Sequence, residues 1–426
     1  MTSTRVSAIS APRLIAACTI GNALEFYDFV VFSFFARTIG QLFFPSGDQT
    51  VQLLSAFATY GVGFFLRPLG GVILGAYADH VGRKRTTVLS LMLMALGTAM
   101  IGIAPTYASA GVFGPIVVVL GRLIQGFSAG GEVGAATTLL AEYAPKERRG
   151  FYGAWQLASQ GFAILVAATM AWIINTSMTP ETVTAWGWRI PFILGILIVP
   201  IGMWLLNVLE ETHANKNSEK TRNVSSLRLA LTEHLGKVIA GVAMVIGGTA
   251  ANAVIVLYMA TYAVTQLKMA PATGLLAGIT AGIVTLVASP IGGWLSDIHG
   301  RRTVAFVSYL LLLLLIYPAF LYLNAYPTLA TLLLVVAGLS VLNATGGATI
   351  IITLAEIFPV EVRATGMSLV YALGVAIFGG FGQFIVTWLI KATGSPIAPA
   401  YYVMACAVAT LLALRAIPEM KGRALN

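Results

Sequence analysis

Long apolar runs, separated by short polar loops, follow one another along almost the whole sequence. Of the 426 residues, 58% are hydrophobic and only 10% are charged. About 18 consecutive apolar residues suffice to span a bilayer as a helix, and in lipid only helices and closed barrels satisfy their own backbone. Twelve runs qualify, near 13–43, 51–78, 86–104, 112–141, 151–175, 188–208, 237–266, 272–297, 303–323, 328–356, 364–391 and 399–417. The sequence therefore predicts an all-α membrane protein of twelve transmembrane helices, the second of them kinked at Arg67 and Pro68.

Several other classes of protein do not fit this composition. The net charge of +9 follows the loops of a membrane protein, so we do not expect nucleic acid as a partner. Cys18 and Cys406 fall in apolar runs, which argues against a disulfide framework, and the four histidines are too scattered for a metal site. The N-terminal stretch lacks a signal-peptide pattern, so we expect no cleaved leader. We also expect no cofactor.

One long hydrophilic stretch, 210–236, interrupts the pattern between the sixth and seventh runs. It predicts three parts: an N-terminal six-helix bundle at 1–209, a cytoplasmic linker at 210–236 and a C-terminal six-helix bundle at 237–426. If both termini are cytoplasmic, nineteen of the 25 Lys and Arg residues lie on the inner side and four at outer ends. By the positive-inside rule, this asymmetry predicts that orientation.

Two loops of the first half recur in the second half. GAYADHVGRKR (75–85) matches GWLSDIHGRR (293–302) at an offset of 218, and AEYAPKERRG (141–150) matches AEIFPVEVRATG (355–366) at an offset of 214. Two matches at nearly one offset indicate duplicated halves, and such repeats commonly build transporters with a midplane site that opens alternately to each side. The charged residues that recur are Asp79, Arg83, Glu142, Arg149, Asp297, Arg301, Glu356 and Arg363.

The repeated loop, of the form GxxxDxxGR, resembles the signature loop of the major facilitator superfamily. GNALEFYDF (21–29), FFLRPLGG (64–71), WGWRIPF (186–192) and PVEVRATG (359–366) resemble its metabolite:proton symporter branch. Within that branch, GRLIQGFSAGGE (121–132) and WQLASQGFAILVAA (155–168) are similar to bacterial citrate and tricarballylate carriers. The resemblance implies a monomeric, proton-coupled importer in the bacterial inner membrane, with a tricarboxylate and protons as its ligands. It also implies that the repeated charged residues form ion pairs that gate the halves; the alternative is ordinary surface pairing.

A positive charge lies deep in the fourth run. Arg122 is about nine residues into its helix, roughly 14 Å deep at 1.5 Å per residue. Gln125 and Glu132 fall about 60° and 80° from it around an ideal helix, so the three can share one face. A buried arginine can bind a carboxylate with two parallel hydrogen bonds, which makes Arg122 a candidate anchor for an anionic substrate. The alternative is a structural ion pair with Glu25 or Asp28.

Two acidic residues lie in the first run, at positions where a charge is costly in a bilayer. Asn22, Glu25 and Asp28 step by three along the predicted helix. Burial favours the protonated form of a carboxyl group and a nearby arginine favours its charged form, so binding and protonation can be coupled. Glu25, Asp28 and Glu132 are therefore candidate proton sites. The alternative is a permanent pair of one of these acids with Arg67 or Arg122.

Polar side chains in other runs complete a candidate pocket, although interhelical packing or an aromatic belt would also explain them. The candidate substrate-binding residues are Arg122, Gln125, Asn22, Gln156, Ser159, Gln160, Tyr258, Tyr262, Asn343 and Tyr371. Residues 126–130, GFSAG, match the G-x-S-x-G motif of hydrolases, but no strand precedes them, so we expect no enzyme. Uptake of another small solute, such as a dicarboxylate, an aromatic acid or a zwitterionic osmolyte, remains the alternative function; drug efflux and a channel fit the motifs less well.

Overall fold

The computed structural model describes residues 11–81, 83–196, 200, 229, 232–359 and 362–423. Most of the predicted linker at 210–236 lies outside these residues. The helices of the first half are α1 Ala11–Phe34, α2 Ala36–Phe43, α3 Gln49–Phe65, α4 Arg67–Val81, α5 Arg83–Ile103, α6 Tyr107–Ala110, α7 Phe113–Ser128, α8 Glu132–Tyr143, α9 Arg149–Ser177, α10 Pro180–Ala185 and α11 Ile190–Gly195. Those of the second half are α12 Leu235–Ala251, α13 Met259–Thr265, α14 Pro271–His299, α15 Arg301–Ala325, α16 Leu329–Ile357, α17 Arg363–Gly374, α18 Gly382–Thr393 and α19 Ala398–Ala416.

Three of the predicted spans in the first half are interrupted helices. The run 51–78 forms α3 and α4, which meet at Leu66 just before Arg67 and Pro68, where proline removes a backbone donor. The run 112–141 forms α7 and α8, joined by a turn of 3₁₀ helix at Ala129–Gly131. The run 13–43 forms α1 and α2, which meet at Phe35. The break in the run 51–78 falls at the kink that Arg67 and Pro68 predict, whereas our prediction of an unbroken helix was too simple for the runs 13–43 and 112–141.

Two helices of the second half contain a wider, π-helical segment. Asn252–Tyr258 lies between α12 and α13, and Val375–Gly380 lies between α17 and α18. In these segments the backbone hydrogen bonds skip one extra residue, and π-helical turns are frequent at functional sites. Both segments contribute to the central cavity described below.

Within the described residues, nine helices are long and apolar enough to cross a membrane. The absence of the other three predicted spans from this set has identifiable causes. Part of α1 and most of the run 188–208 lie outside the residues whose side chains are described, and α7 alone has 16 residues because it ends at the 3₁₀ turn. The chain is therefore a multi-pass membrane protein of helices.

The two halves pack together along α9 and α14. A Cβ at Gly161 of α9 would lie 2.4 Å from the backbone nitrogen of Leu286, and one at Gly293 of α14 would lie 2.3 Å from the carbonyl oxygen of Gly150. Gly150 at the start of α9 meets Gly293, and Gly161 further along α9 meets Leu286, earlier in α14. The two helices are therefore antiparallel. Small residues let the backbones approach closely, which is a common source of helix association in membranes.

Candidate functional site

A small cavity lies between the halves, in the middle of the molecule. Its free volume is about 70 Å³, enough for a few water molecules. Aliphatic and aromatic side chains form most of its wall. The polar residues that line it are Tyr60, Gln160, Thr249, Asn252, Thr285, Tyr309, Asn343 and Tyr371.

Three of the predicted substrate residues, Gln160, Asn343 and Tyr371, line this central cavity. Sequence reasoning missed Tyr60 and Tyr309, because a single tyrosine in an apolar run looks like part of an aromatic belt. The hydroxyl of Tyr309 is buried and has no hydrogen-bond partner among the residues described, so it is available to a ligand in the cavity.

Arg122 is fully buried among aromatic rings. The centre of its guanidinium lies 3.8 Å from the centroid of Phe32, 5.4 Å from Phe29 and 5.5 Å from Tyr60. Tyr60 also lines the central cavity, so it borders both the arginine and the cavity. Such cation–π contacts stabilise a charge that is removed from water. They do not replace hydrogen bonds, and the described residues supply no partner for Nε and Nη2 of Arg122.

The remaining terminal nitrogen of Arg122 begins a chain of hydrogen bonds. Nη1 donates to Oε1 of Gln125 at 2.9 Å, and Nε2 of Gln125 donates to the hydroxyl of Thr98 at 2.8 Å. The Thr98 hydroxyl donates in turn to Oδ2 of Asp28. Two neutral side chains thus connect a fixed positive charge to a buried carboxyl group.

Asp28 is fully buried and forms no ion pair with any residue of the described part of the chain. Its second oxygen, Oδ1, has no hydrogen-bond partner there. This oxygen faces Gly195 of α11, and a Cβ added at Gly195 would lie 2.6 Å from it. An ionised carboxylate with a single neutral partner is costly to bury, and a bound proton removes that cost.

Glu25 has a different environment. Nη2 of Arg67 lies 3.0 Å from its Oε1, and both side chains are buried. The rings of Phe29 and Phe64 cover the same guanidinium at 4.6 and 4.3 Å. The structural alternative raised by the sequence, a pair of one of the acids with Arg67, is thus present for Glu25.

Three other predicted substrate residues form a contact between α1 and α9. Nδ2 of Asn22 donates to Oγ of Ser159 at 2.8 Å and to the carbonyl oxygen of Gln156 at 3.1 Å. All three are buried, and none lines the central cavity. The amide of Gln156 lacks a hydrogen-bond partner within the described ranges. Their role in binding substrate stays a prediction.

The predicted residues Tyr258 and Tyr262 lie toward one end of the molecule, which we call the outer end and define by Asp48 and Lys391. There the ring of Tyr258 packs on Phe57 of the first half, 5.9 Å between centroids. The hydroxyl of Tyr262 donates to the carbonyl oxygen of Pro396 at 2.8 Å. Neither lines the central cavity, and their binding of substrate also remains a prediction.

Further contacts join the halves at the outer end. Nε2 of Gln383 donates to Oγ of Ser33 at 2.6 Å, and Nζ of Lys391 lies 2.5 Å from Oδ2 of Asp48. The hydrogen bond from Lys391 is the largest cause that holds the pKa of Asp48 below its usual value. Both side chains of this pair are partly exposed, so it is worth little energy by itself. The outer end is closed.

The repeated loops close the opposite end, which we call the loop end. The carboxylate of Asp297 accepts hydrogen bonds from the backbone nitrogens of Gly150 and Phe151, at 2.8 and 2.9 Å, at the start of α9. Nη1 of Arg363 lies 3.0 Å from Oε1 of Glu142. Each of these contacts joins one half to the other.

Three more of the predicted gating residues support the same end. Arg301 is buried and pairs with Asp297 at 2.6 Å and with Glu356 at 3.2 Å. Nη1 of Arg149 donates to the carbonyl oxygen of Arg423 at 2.9 Å. The side chains of the remaining candidates, Asp79, Arg83 and Glu132, lie outside the described residues, so their roles stay predictions.

The GFSAG segment is helical. Gly126 and Ser128 belong to α7, and Oγ of Ser128 donates to the carbonyl oxygen of Ser90 at 2.6 Å. A nucleophile elbow needs a strand before the serine, which this segment lacks.

Comparisons with known proteins agree with this architecture. The chain is 40% identical to a citrate-proton symporter of Klebsiella pneumoniae over 94% of this chain and 90% of the relative, and 32% identical to a proline/betaine transporter of Salmonella typhimurium over 97% and 85%. The xylose transporter XylE of E. coli, in a partially occluded inward-open conformation, has the same fold, with a TM-score of 0.78 at 18% identity over 97% of this chain and 99% of XylE. The model of the family described as sugar (and other) transporter matches residues 14–214 and 205–426. The chain therefore belongs to this transporter family of the major facilitator superfamily, as its loops indicated.

Proposed function

We propose that the protein is a proton-coupled symporter that imports a tricarboxylate, such as citrate or tricarballylate, by alternating access. One observation carries the proposal: Arg122 has one unpartnered edge, and its other terminal nitrogen is connected through Gln125 and Thr98 to Asp28. The same arginine can therefore sense a substrate carboxylate and the protonation of a buried acid.

The unpartnered edge of Arg122 suits a carboxylate. The N–H groups of Nε and Nη2 lie in the guanidinium plane and point in parallel from one of its edges, so a carboxylate can accept two parallel hydrogen bonds from them. In the closed structure Tyr60 contacts the guanidinium of Arg122 and also lines the central cavity. The cavity, about 70 Å³, is well below the roughly 300–1,000 Å³ of small-molecule sites, so substrate enters only when the halves separate and Tyr60 moves aside.

Charge balance gives the direction of coupling. Without substrate, the positive charge of Arg122 favours an ionised Asp28. A substrate carboxylate on Arg122 cancels that effect, so the buried Asp28 then favours its protonated form. Proton and anion therefore bind together and leave together, which is symport.

Closure at both ends describes an occluded intermediate. Opening at the loop end requires breaking the contacts of Asp297 with α9 and of Glu142 with Arg363. Opening at the outer end requires breaking the contacts of Lys391 with Asp48 and of Gln383 with Ser33. We place the loop end in the cytoplasm with both termini, in a bacterial inner membrane, because lysines and arginines concentrate there. The protein acts as a monomer in the lipid bilayer, with the two halves 1–209 and 237–426 moving about the linker.

Uptake of an osmolyte is the second candidate, favoured by the similarity to a proline/betaine transporter. A zwitterion also has a carboxylate for Arg122, but it brings no excess negative charge. Purified protein in liposomes distinguishes the two. We expect saturable uptake of labelled citrate with an inward proton gradient, blocked by tricarballylate and unaffected by proline betaine. Uptake of labelled proline betaine, with no uptake of labelled citrate, would leave the transporter fold standing but overturn the proposed substrate.

A further inference from the structure

A second and larger cavity lies at the outer end, between the halves. Its volume is about 430 Å³, against about 70 Å³ for the central cavity, so in the closed conformation it is the cavity with room for a small organic ion. The first half contributes α2 and the start of α3, and the second half contributes α13 with the loop after it and the end of α18. We call it the outer cavity.

The outer cavity gathers positive charge. Arg37, Lys268 and Lys391 line it, and the carboxylate of Asp48, which is not itself part of the cavity wall, pairs with Lys391. The sequence places only four lysines and arginines at outer ends, so three of the four meet in one cavity. Lysine and arginine are disfavoured on the translocated side of a membrane. Chance alone is therefore a poor explanation for three of them lining one cavity.

Lys268 is held in an unusual conformation. Its φ is +58°, and no other residue than glycine has a positive φ in the described part of the chain. This left-handed region is uncommon for a residue with a side chain, and strained residues cluster at functional sites. Nζ of Lys268 donates to the carbonyl oxygen of Thr265 at 2.7 Å, so the ammonium is kept at the cavity wall.

Lys391 already binds a carboxylate at this cavity. Its partner Asp48 belongs to the other half, and the two side chains are 43% and 46% exposed, so water and ions reach the pair. A carboxylate from solution can take the place of Asp48 on Lys391 with little loss, because exposed ion pairs are weak. Such an exchange would also release one contact between the halves.

The outer cavity and the central cavity share a wall. The π-helical segment Asn252–Tyr258 contributes Tyr258 to the outer cavity and Asn252 and Leu257 to the central one. Tyr258 packs on Phe57 across the boundary between the halves. An ion in the outer cavity would therefore lie against the same π-helical segment that lines the central cavity.

We propose that the outer cavity is a loading site for a polycarboxylate anion, held by Arg37, Lys268 and Lys391 in competition with Asp48. The proposal rests on the proposed import of a tricarboxylate and deepens it: the anion binds first outside, exchanges with Asp48 on Lys391, and passes inward when the halves separate.

Protection of a cysteine tests this site apart from transport. Gln41 is exposed and lines the outer cavity without carrying charge. In a background with Cys18 and Cys406 replaced by alanine, Gln41→Cys would be labelled from outside with the anionic, impermeant reagent sulfonatoethyl methanethiosulfonate. We expect citrate to slow this labelling at constant ionic strength. Ala185→Cys, exposed at the same end but outside the cavity wall, is the control for general screening and should be labelled at an unchanged rate.

A second substitution tests whether the positive charges of the outer cavity cause the protection by citrate. Lys268→Gln, combined with Gln41→Cys, should raise the citrate concentration for half-protection roughly two- to fivefold, the range for one exposed charge pair. Lys237→Gln removes a charge from the start of α12 instead, where it is exposed, and should leave that concentration unchanged.

The outcomes separate the site from the transport function. Protection at Gln41→Cys that weakens with Lys268→Gln supports the loading site, even if citrate uptake fails and with it the proposed function. Normal citrate uptake without protection, or protection that Lys268→Gln leaves unchanged or that Ala185→Cys shares, overturns the loading site and leaves the proposed function standing.

Discussion

Glu25 and Asp28 lie one helical turn apart on α1, yet their side chains have different partners. Glu25 pairs with a buried arginine, whereas Asp28 has a hydroxyl as its hydrogen-bond donor. A permanent ion pair keeps a carboxylate charged, and a neutral partner leaves the carboxyl free to exchange its proton. We therefore propose Asp28, rather than Glu25, as the proton site.

Substitution of Glu25 should destabilise the fold. Glu25→Gln leaves Arg67 charged and buried between two aromatic rings, and loss of one partner of a buried pair costs about 3–5 kcal/mol. Thermal unfolding in detergent measures this. Asp28→Asn is the matched control on the same helix and should unfold close to the wild-type temperature; equal losses in both variants would contradict the assignment.

Thr98 should control the protonation of Asp28. Thr98→Val removes the hydroxyl that joins Gln125 to Asp28, so the charged carboxylate loses its donor and uptake should extend to higher pH. Thr98→Ser keeps a hydroxyl and should restore the wild-type pH profile. The readout is the pH dependence of citrate uptake in liposomes, and a profile unchanged by Thr98→Val would argue against the hydrogen-bonded chain.

The sequence predicted which acids and arginine lie in the membrane, because a charge in an apolar run is conspicuous. It could not decide which acid pairs with which arginine, since pairing depends on the approach of α1 to α4 and α7. Thr98 was missed for a related reason. A threonine in the apolar run of α5 carries no signal until Gln125 and Asp28 are placed beside it.

At the level of elements, close packing of α9 on α14 depends on glycine. Gly161→Ala would place a methyl group 2.4 Å from the backbone nitrogen of Leu286, so the two helices must separate. We expect a loss of about 1–3 kcal/mol in stability and a drop in transport. Gly338→Ala, in α16 with open space around it, is the control and should be tolerated. Unfolding temperatures of the two variants in detergent test this, and a tolerated Gly161→Ala would contradict the packing.

Helix positions followed from hydrophobicity alone, whereas helix interruptions only partly did. Pro68 indicated the break between α3 and α4 because proline has a known effect on the backbone. The 3₁₀ turn at Ala129–Gly131 and the two π-helical segments carry no comparable signal, because they arise from contacts between helices.

At the scale of the whole molecule, the ion pair between Asp48 and Lys391 at the outer end should not respond to pH between about 5 and 8. The pKa of Asp48 is lowered below its usual value near 3.8, so the contact is formed above that value and is lost only as the pH falls below it. Asp48→Asn should therefore change the rate of uptake without changing the shape of its profile between pH 5 and 8. A shift of the pH profile of uptake in liposomes with Asp48→Asn would contradict this prediction, because it would mean that Asp48 titrates in this pH range.

Alternating access requires contacts between the halves at both ends, and the sequence revealed one set of them. Duplicated loops pointed to Glu142, Asp297 and Arg363, whose contacts do cross between the halves. The outer contacts were not foreseen, because Asp48 and Lys391 are not repeated in the two halves and lie 343 residues apart.

The coupling of protons to substrate through Asp28 can be measured with a single variant. Asp28→Asn, reconstituted in liposomes, should lose accumulation of citrate driven by an inward proton gradient by tenfold or more. It should keep exchange of labelled for unlabelled citrate, because Arg122 still binds the anion when residue 28 cannot ionise. Accumulation by Asp28→Asn at the wild-type level would show that the proton is carried elsewhere and would contradict the mechanism.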